Sequence, residues 1–169
     1  MTELITIVDE NDNLIWYKQR WTLNHWKDIY RISALRLENS KWEVLMAQRS
    51  YSIKNQWWQR WPAVAGTIDK WETYESNILK ESQEEIWLEL KEYKIWIKEF
   101  VHAKENNNRK YFRQRFIAKS DKKIEEFKLQ KEEVEKIMRI NKQDLLNRVR
   151  QNPEDFTANA THYINLFCK

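Results

Sequence analysis

The sequence predicts an α/β fold, a mixed sheet covered by helices, and three features carry that expectation. Apolar residues alternate with period two in segments both before and after one long helical segment. That segment, Thr73 to Ile86, opens on a residue suited to an N-cap and places Glu75 in its first turn. Two more amphipathic helical segments close the chain and can cover a sheet. No internal repeat or low-complexity linker interrupts residues 1–169, so a single domain is expected.

In chain order, Leu4 to Val8 and Leu14 to Lys18 read as strands joined across Asp9-Glu10-Asn11-Asp12-Asn13, a turn-rich cluster. Trp21 to Asp28 is a polar connection. Ile29 to Leu37 and Val44 to Gln48 form the next pair of strands, with Trp42 in the turn between them and Arg49 at the end of the second. Pro62-Ala63-Val64-Ala65-Gly66 is small and apolar enough for a buried strand end that presents its backbone to a ligand. Beyond the helix, Leu90 to Ala103 and Arg109 to Lys119 alternate as long strands around the turn Glu105-Asn106-Asn107-Asn108. The aromatics of the second are expected to face the core rather than form a nucleic-acid strip. Ser120 to Glu135 reads as a charged loop or short helix, and Val134 to Ile140 as the last strand. Lys142 to Arg150 and Glu154 to Phe167 are the closing helices, with Phe156, Tyr163, Ile164 and Phe167 as the packing face of the second.

Charged residues make up 33% of the chain, yet its net charge is only +4. Such a surface suits a phosphorylated small molecule and does not form a strong polyanion trap. A single cysteine, Cys168, excludes an internal disulfide and a cysteine metal cluster, which fits a reducing compartment. No signal peptide or membrane span is expected, so a cytoplasmic location is the default expectation.

The chemistry is concentrated between Gly66 and Leu88. On a helix, Glu81, Glu84 and Glu85 project toward one side, where like charges at these spacings cost roughly 0.2–0.5 kcal/mol per pair. They also lie in the C-terminal half, which the helix dipole makes unfavourable for anions. A solvated charged face is the bland reading of such a turn. A bound divalent cation turns the repulsion into coordination, and Mg²⁺ suits a few carboxylates that leave room for water and phosphates.

This stretch resembles the signature box of the Nudix family: Gly, five residues, Glu, seven residues, Arg-Glu, an aliphatic, any residue, Glu-Glu, any residue, Gly, aliphatic. Gly66, Glu72, Glu81, Glu84, Glu85 and Leu88 stand in register with it. Lys80 replaces the Arg, Ser82 the aliphatic and Trp87 the second Gly. The opening Ile-Val-Asp-Glu-Asn-Asp-Asn-Leu-Ile resembles the isopentenyl-diphosphate-isomerase-like branch. The resemblance implies an α/β/α sandwich that holds Mg²⁺ or Mn²⁺ and hydrolyses a diphosphate linked to another group. It implies Glu81, Glu84 and Glu85 as metal ligands, with Glu81 and Glu84 catalytic and Glu84 as ligand or base. It also implies Glu133 as a further ligand, Arg49 as a phosphate contact, and Gly66, Glu72 and Lys80 in support.

One glycine and 10 tryptophans occur in 169 residues, where average usage is about 12 glycines. Trp42, Trp71 and Trp87 sit in turns or at a helix end, where a backbone favours glycine. We read most of these tryptophans as glycines in the living protein, encoded by UGA, with Trp58 a true tryptophan. The alternative is a protein genuinely rich in tryptophan.

The expected function is a metal-dependent hydrolase of a small diphosphate compound such as a nucleoside diphosphate linked to a further group. Two alternatives stay open: an isopentenyl-diphosphate isomerase, although the run before the box lacks cysteine, and an inactive binding module of the same fold. A homodimer is compatible with either reading.

Overall fold

The computed structural model describes residues 3–52, 58–103 and 108–167. Trp57, Cys168 and most of the turn at Glu105-Asn106-Asn107-Asn108 lie outside them. Among the described residues, nine strands join in one mixed sheet: β1 (Leu4–Val8), β2 (Leu14–Gln19), β3 (Ile29–Glu38), β4 (Glu43–Arg49), β5 (Arg60–Pro62), β6 (Val64–Thr67), β7 (Tyr93–Ala103), β8 (Arg109–Lys119) and β9 (Val134–Asn141). Three helices accompany them: α1 (Tyr74–Ile86), α2 (Lys142–Gln151) and α3 (Ala158–Phe167).

Strand β3 is the hub. It runs parallel to β8 from Ile29↔Lys110 to Glu38↔Lys119 and antiparallel to β1, β4 and β6. The pleat sends successive side chains to opposite faces, and the contacts show which helix covers each. The hydroxyl of Ser33 donates to Asn77 of α1, and its neighbour across the ladder, Gln114, reaches Glu75 of α1. On the other face, Arg115 stacks on Tyr163 of α3. The sheet therefore lies between α1 and the closing helices, an α/β/α sandwich. Its main core joins Leu35, Leu45 and Phe116 of the sheet with Ile78 of α1 and Ile164 of α3, all at 0% exposure.

Helix α1 begins as its sequence dictates. Thr73 accepts the N–H of Ser76, and the Ser76 hydroxyl accepts the N–H of Thr73, a reciprocal capping box. Trp87 ends it in the left-handed conformation, φ 52° and ψ 49°, with the N–H of Leu88 bonded to the Ser82 carbonyl.

The last helix is shorter than Glu154 to Phe167. Pro153–Asp155 forms a separate 3-10 turn, and Phe156 is extended and buried, bridged in parallel to Arg60. Only then does the Thr157 side chain accept the N–H of Ala160 and start α3. Between Ser120 and Glu135 the backbone forms one 3-10 turn, Ile124–Glu126. The alternation of β7 does not mark a buried face. Ile95, Ile97 and Phe100 are exposed, because β7 is paired only with β8 among the described residues.

Candidate functional site

The site grows from the close approach of α1 to β6. Pairing with Ser33 fixes Gly66 on β6, and the Glu81 side chain lies directly over it. A Cβ at Gly66 would sit 2.4 Å from the Glu81 carboxyl carbon, closer than packed atoms allow. Glycine here makes room for a carboxylate.

Asn77, fully buried, organises the turn that faces this contact. It accepts from Ser33 and donates to the Thr67 carbonyl at 3.2 Å, to Glu72 at 2.8 Å and to Glu81 at 3.3 Å. Glu72 is thoroughly tied: it also accepts the Asp69 N–H at 2.9 Å and the Lys80 ammonium at 2.9 Å. Burial works against its charge, but these donors hold its carboxyl below the ordinary range. Ser82, where an aliphatic residue is the family pattern, is buried and donates to the Ile78 carbonyl at 2.6 Å.

Glu85 is in the opposite condition. It is 5% exposed, and its buried Oε2 has no hydrogen-bond partner among the described residues. Burial pushes its carboxyl well above the usual range, and Glu81 and Glu133 push it further against the opposing pull of Arg49. Glu81 is raised to about 7, chiefly by burial, with Glu84 and Glu72 adding to the shift and Lys80 opposing it. Glu84 is exposed on the next step of the helix.

The loop before β9 brings the fourth acid. The Gln130 N–H bonds to the Glu85 carbonyl at 3.0 Å, and Glu133 closes a turn back to Gln130 at 2.9 Å. The carbonyl of Glu133 accepts from the Ser50 N–H at 2.9 Å, beside the Arg49↔Val134 pair. Glu85, Glu133, Arg49 and Gly66 therefore border one cavity of about 200 Å³. Arg49 is partly buried there, its guanidinium 5.3 Å from the Trp61 ring and its Nε without a partner among the described residues.

A buried carboxylate oxygen with no donor, beside two further acids, is what a hard divalent cation would satisfy, and all-oxygen donors fit Mg²⁺ or Mn²⁺. As they stand, no three His, Cys, Asp or Glu side chains among the described residues converge closely enough to hold an ion. The donors of Glu81, Glu85 and Glu133 would draw together around one.

Sequence reasoning missed two groups. Asn77 looked like an ordinary helical residue, and nothing local marks it as the tie between loop and helix. Arg109, Arg113 and Arg115 also border the cavity, with Arg113 and Arg115 buried. The signal was present: even spacing along a strand places all three on one face. Of the aromatics expected to face the core, Tyr111 and Phe116 are buried and Phe112 packs, partly buried, against the main core.

The NUDIX domain pattern matches residues 27–160. The chain belongs to the Nudix family. Among solved structures, the Nudix fold seen here is similar to DR0079 from Deinococcus radiodurans, with TM-score 0.82, 18% identity and coverage of 97% of this chain and 98% of that one. It is also similar to a MutT protein from Methanosarcina mazei Go1, with TM-score 0.65, 16% identity and coverage of 81% and 91%. The NUDIX domain of Shewanella oneidensis NrtR, in complex with ADP ribose, aligns with TM-score 0.64, 12% identity and coverage of 88% and 90%. No curated protein matches the chain by sequence. No helix among the described residues is long and apolar enough to cross a membrane.

Proposed function

We propose that this chain is a single-domain, divalent-metal-dependent Nudix hydrolase that cleaves a diphosphate linkage in a small nucleoside-diphosphate-type metabolite. The observation that carries the reading is Glu85, a buried carboxylate with one oxygen unpartnered among the described residues, close to Glu81 and bordering a cavity with Glu133 and Arg49. Glu81, Glu85 and Glu133 would hold the cation, with Glu84 at its exposed side. When bound, a divalent ion neutralises and orients phosphate oxygens. Glu84, exposed to solvent, would take the proton of an attacking water, and Arg49 would carry phosphate charge that develops as the linkage breaks. Glu72, Lys80 and Gly66 fix the frame. The fold shared with the MutT protein from Methanosarcina mazei Go1 supports hydrolysis.

An isomerase is the weaker reading, because Ala63-Val64-Ala65-Gly66 offers no thiol at the cavity. The test is release of product from nucleoside, sugar and isoprenoid diphosphates with Mg²⁺ and Mn²⁺. Metal-dependent cleavage that disappears in Glu85→Gln supports the hydrolase. Retained ligand binding without cleavage by either protein supports a binding module.

We also propose that Trp42, Trp71 and Trp87 are glycines in the living protein. Their φ values are 62°, 74° and 52°, where a bulky side chain costs roughly 1–3 kcal/mol. Trp71 is 83% exposed, so burial offers nothing in return. Peptide masses of the protein from its native cells decide this: glycine at these three positions supports recoding, and tryptophan ends it, as would UGG at all ten codons.

A further inference from the structure

We infer that Arg113 and Arg115 are specificity-determining residues that select substrates bearing a second anionic group, a phosphate or carboxylate beyond the scissile diphosphate. The inference rests on the hydrolase reading above and deepens it.

Both arginines line the cavity that Glu85 and Glu133 border, yet they belong to β8, a different wall. They are 6% and 2% exposed. Buried guanidiniums ordinarily have matched carboxylates, and these two share one. Arg115 Nε donates to Glu99 Oε1 at 2.8 Å, and Arg113 Nη1 lies 4.0 Å from that same oxygen. Arg115 Nη2 is 2.8 Å from it as well, but without hydrogen-bond alignment, and so remains a buried donor without a bond. Among the described residues, the hydrogen bond that the Arg113 side chain makes runs to the Tyr111 hydroxyl, at 2.7 Å.

Among the described residues, one positive charge is therefore left over inside the wall. Arg109, on the same strand face and also lining the cavity, adds to the excess with a buried Nε that has no partner among the described residues. The crowding is felt: burial and then the Arg113 charge push Arg115 down to about 10.

Packing alone does not account for this arrangement. Arg113 stacks on Tyr111 with its guanidinium carbon 4.9 Å from the ring centroid, and Arg115 on Tyr163 at 4.2 Å. Stacking uses the faces of the guanidinium planes and leaves their in-plane donors for an anion, which a planar fork binds in bidentate fashion. The acidic wall takes the cation and the diphosphate, while the β8 wall is charged to take what extends beyond it.

Matched substrates test the inference. UDP-glucose and UDP-glucuronate share one diphosphate and differ by a carboxylate, and UDP and UTP differ by a phosphate. The readout is the ratio of kcat/KM within each pair, which is independent of how much of a variant has folded. The wild type is expected to favour the more anionic member of at least one pair about 10-fold, equivalent to about 1.4 kcal/mol. Arg113→Gln and Arg115→Gln are expected to bring that ratio toward 1. Glu99→Gln removes the competing carboxylate and is expected to raise it.

Calorimetric binding of the same four compounds reads the preference even where no cleavage occurs. Cleavage without preference in either pair, or a preference unchanged in the arginine variants, overturns this inference and leaves the hydrolase reading intact. Preferential binding with no cleavage overturns the hydrolase reading alone, and indifferent binding with no cleavage overturns both.

Discussion

Glu72 and Glu85 belong to the same box and have opposite fates. Glu72, at the loop end, accepts from Asp69, Asn77 and Lys80 and is held as a low-lying carboxylate. Glu85, at the helix end, is more deeply buried, has an orphaned oxygen and faces two other acids. A satisfied acid holds a fold together. An unsatisfied one, kept in a cavity against its own solvation, is held for something that arrives later.

The strongest way to break this contrast is Glu85→Gln. Activity is expected to fall about 10³-fold, within the range for losing a charged catalytic group. Its melting temperature should not fall, since the amide oxygen can still accept the Ala65 N–H and the repulsion from Glu81 and Glu133 is removed. Kinetics and a thermal melt on one preparation check both halves. Gly66→Ala comes next. Its Cβ would displace Glu81, and a misplacement of about 1 Å can cost about 10²-fold. Steady-state kinetics should show that loss while circular dichroism stays unchanged.

A pH titration of metal-free protein sharpens the contrast. Glu81 and Glu85 bind protons more tightly folded than unfolded. Their contribution is therefore fully present below the ordinary carboxyl value of 4.5 and is lost as pH rises through about 7 for Glu81. Allowing for the partial exposure of Glu81, the loss is on the order of 1–2 kcal/mol. Urea unfolding in chelator should show stability falling between pH 5 and pH 8, and Mg²⁺ should flatten that slope.

Glu72→Gln should act through the fold instead, at about 1–2 kcal/mol in the same urea assay, because it weakens charge-assisted bonds to Lys80 and the Asp69 N–H. Smallest is Trp87→Gly, expected to stabilise the chain by about 1 kcal/mol as the left-handed cap is relieved, read as a higher melting temperature.

Much of this was legible in the chain. The Thr73 cap, the Trp87 terminus and the strand periodicity are local signals, and local chemistry placed them. The positive φ values at Trp42 and Trp71 also follow from turn position alone. What sequence could not show depends on distant pairing. The start of α3 shifted because Phe156 is drawn into a bridge with Arg60. Asn77 gained its role only once Ser33, Thr67 and Glu81 surrounded it. Spacing puts the three arginines of β8 on one face, but that this face borders the cavity follows only from the pairing of β8 with β3.

The most direct measurement is Mn²⁺ binding, followed by electron paramagnetic resonance, in the wild type, Glu72→Gln and Glu85→Gln. The expected result is comparable affinity in the first two and at least about 10-fold weaker binding in Glu85→Gln. Equal affinity in all three would mean that the buried acid is not what holds the cation.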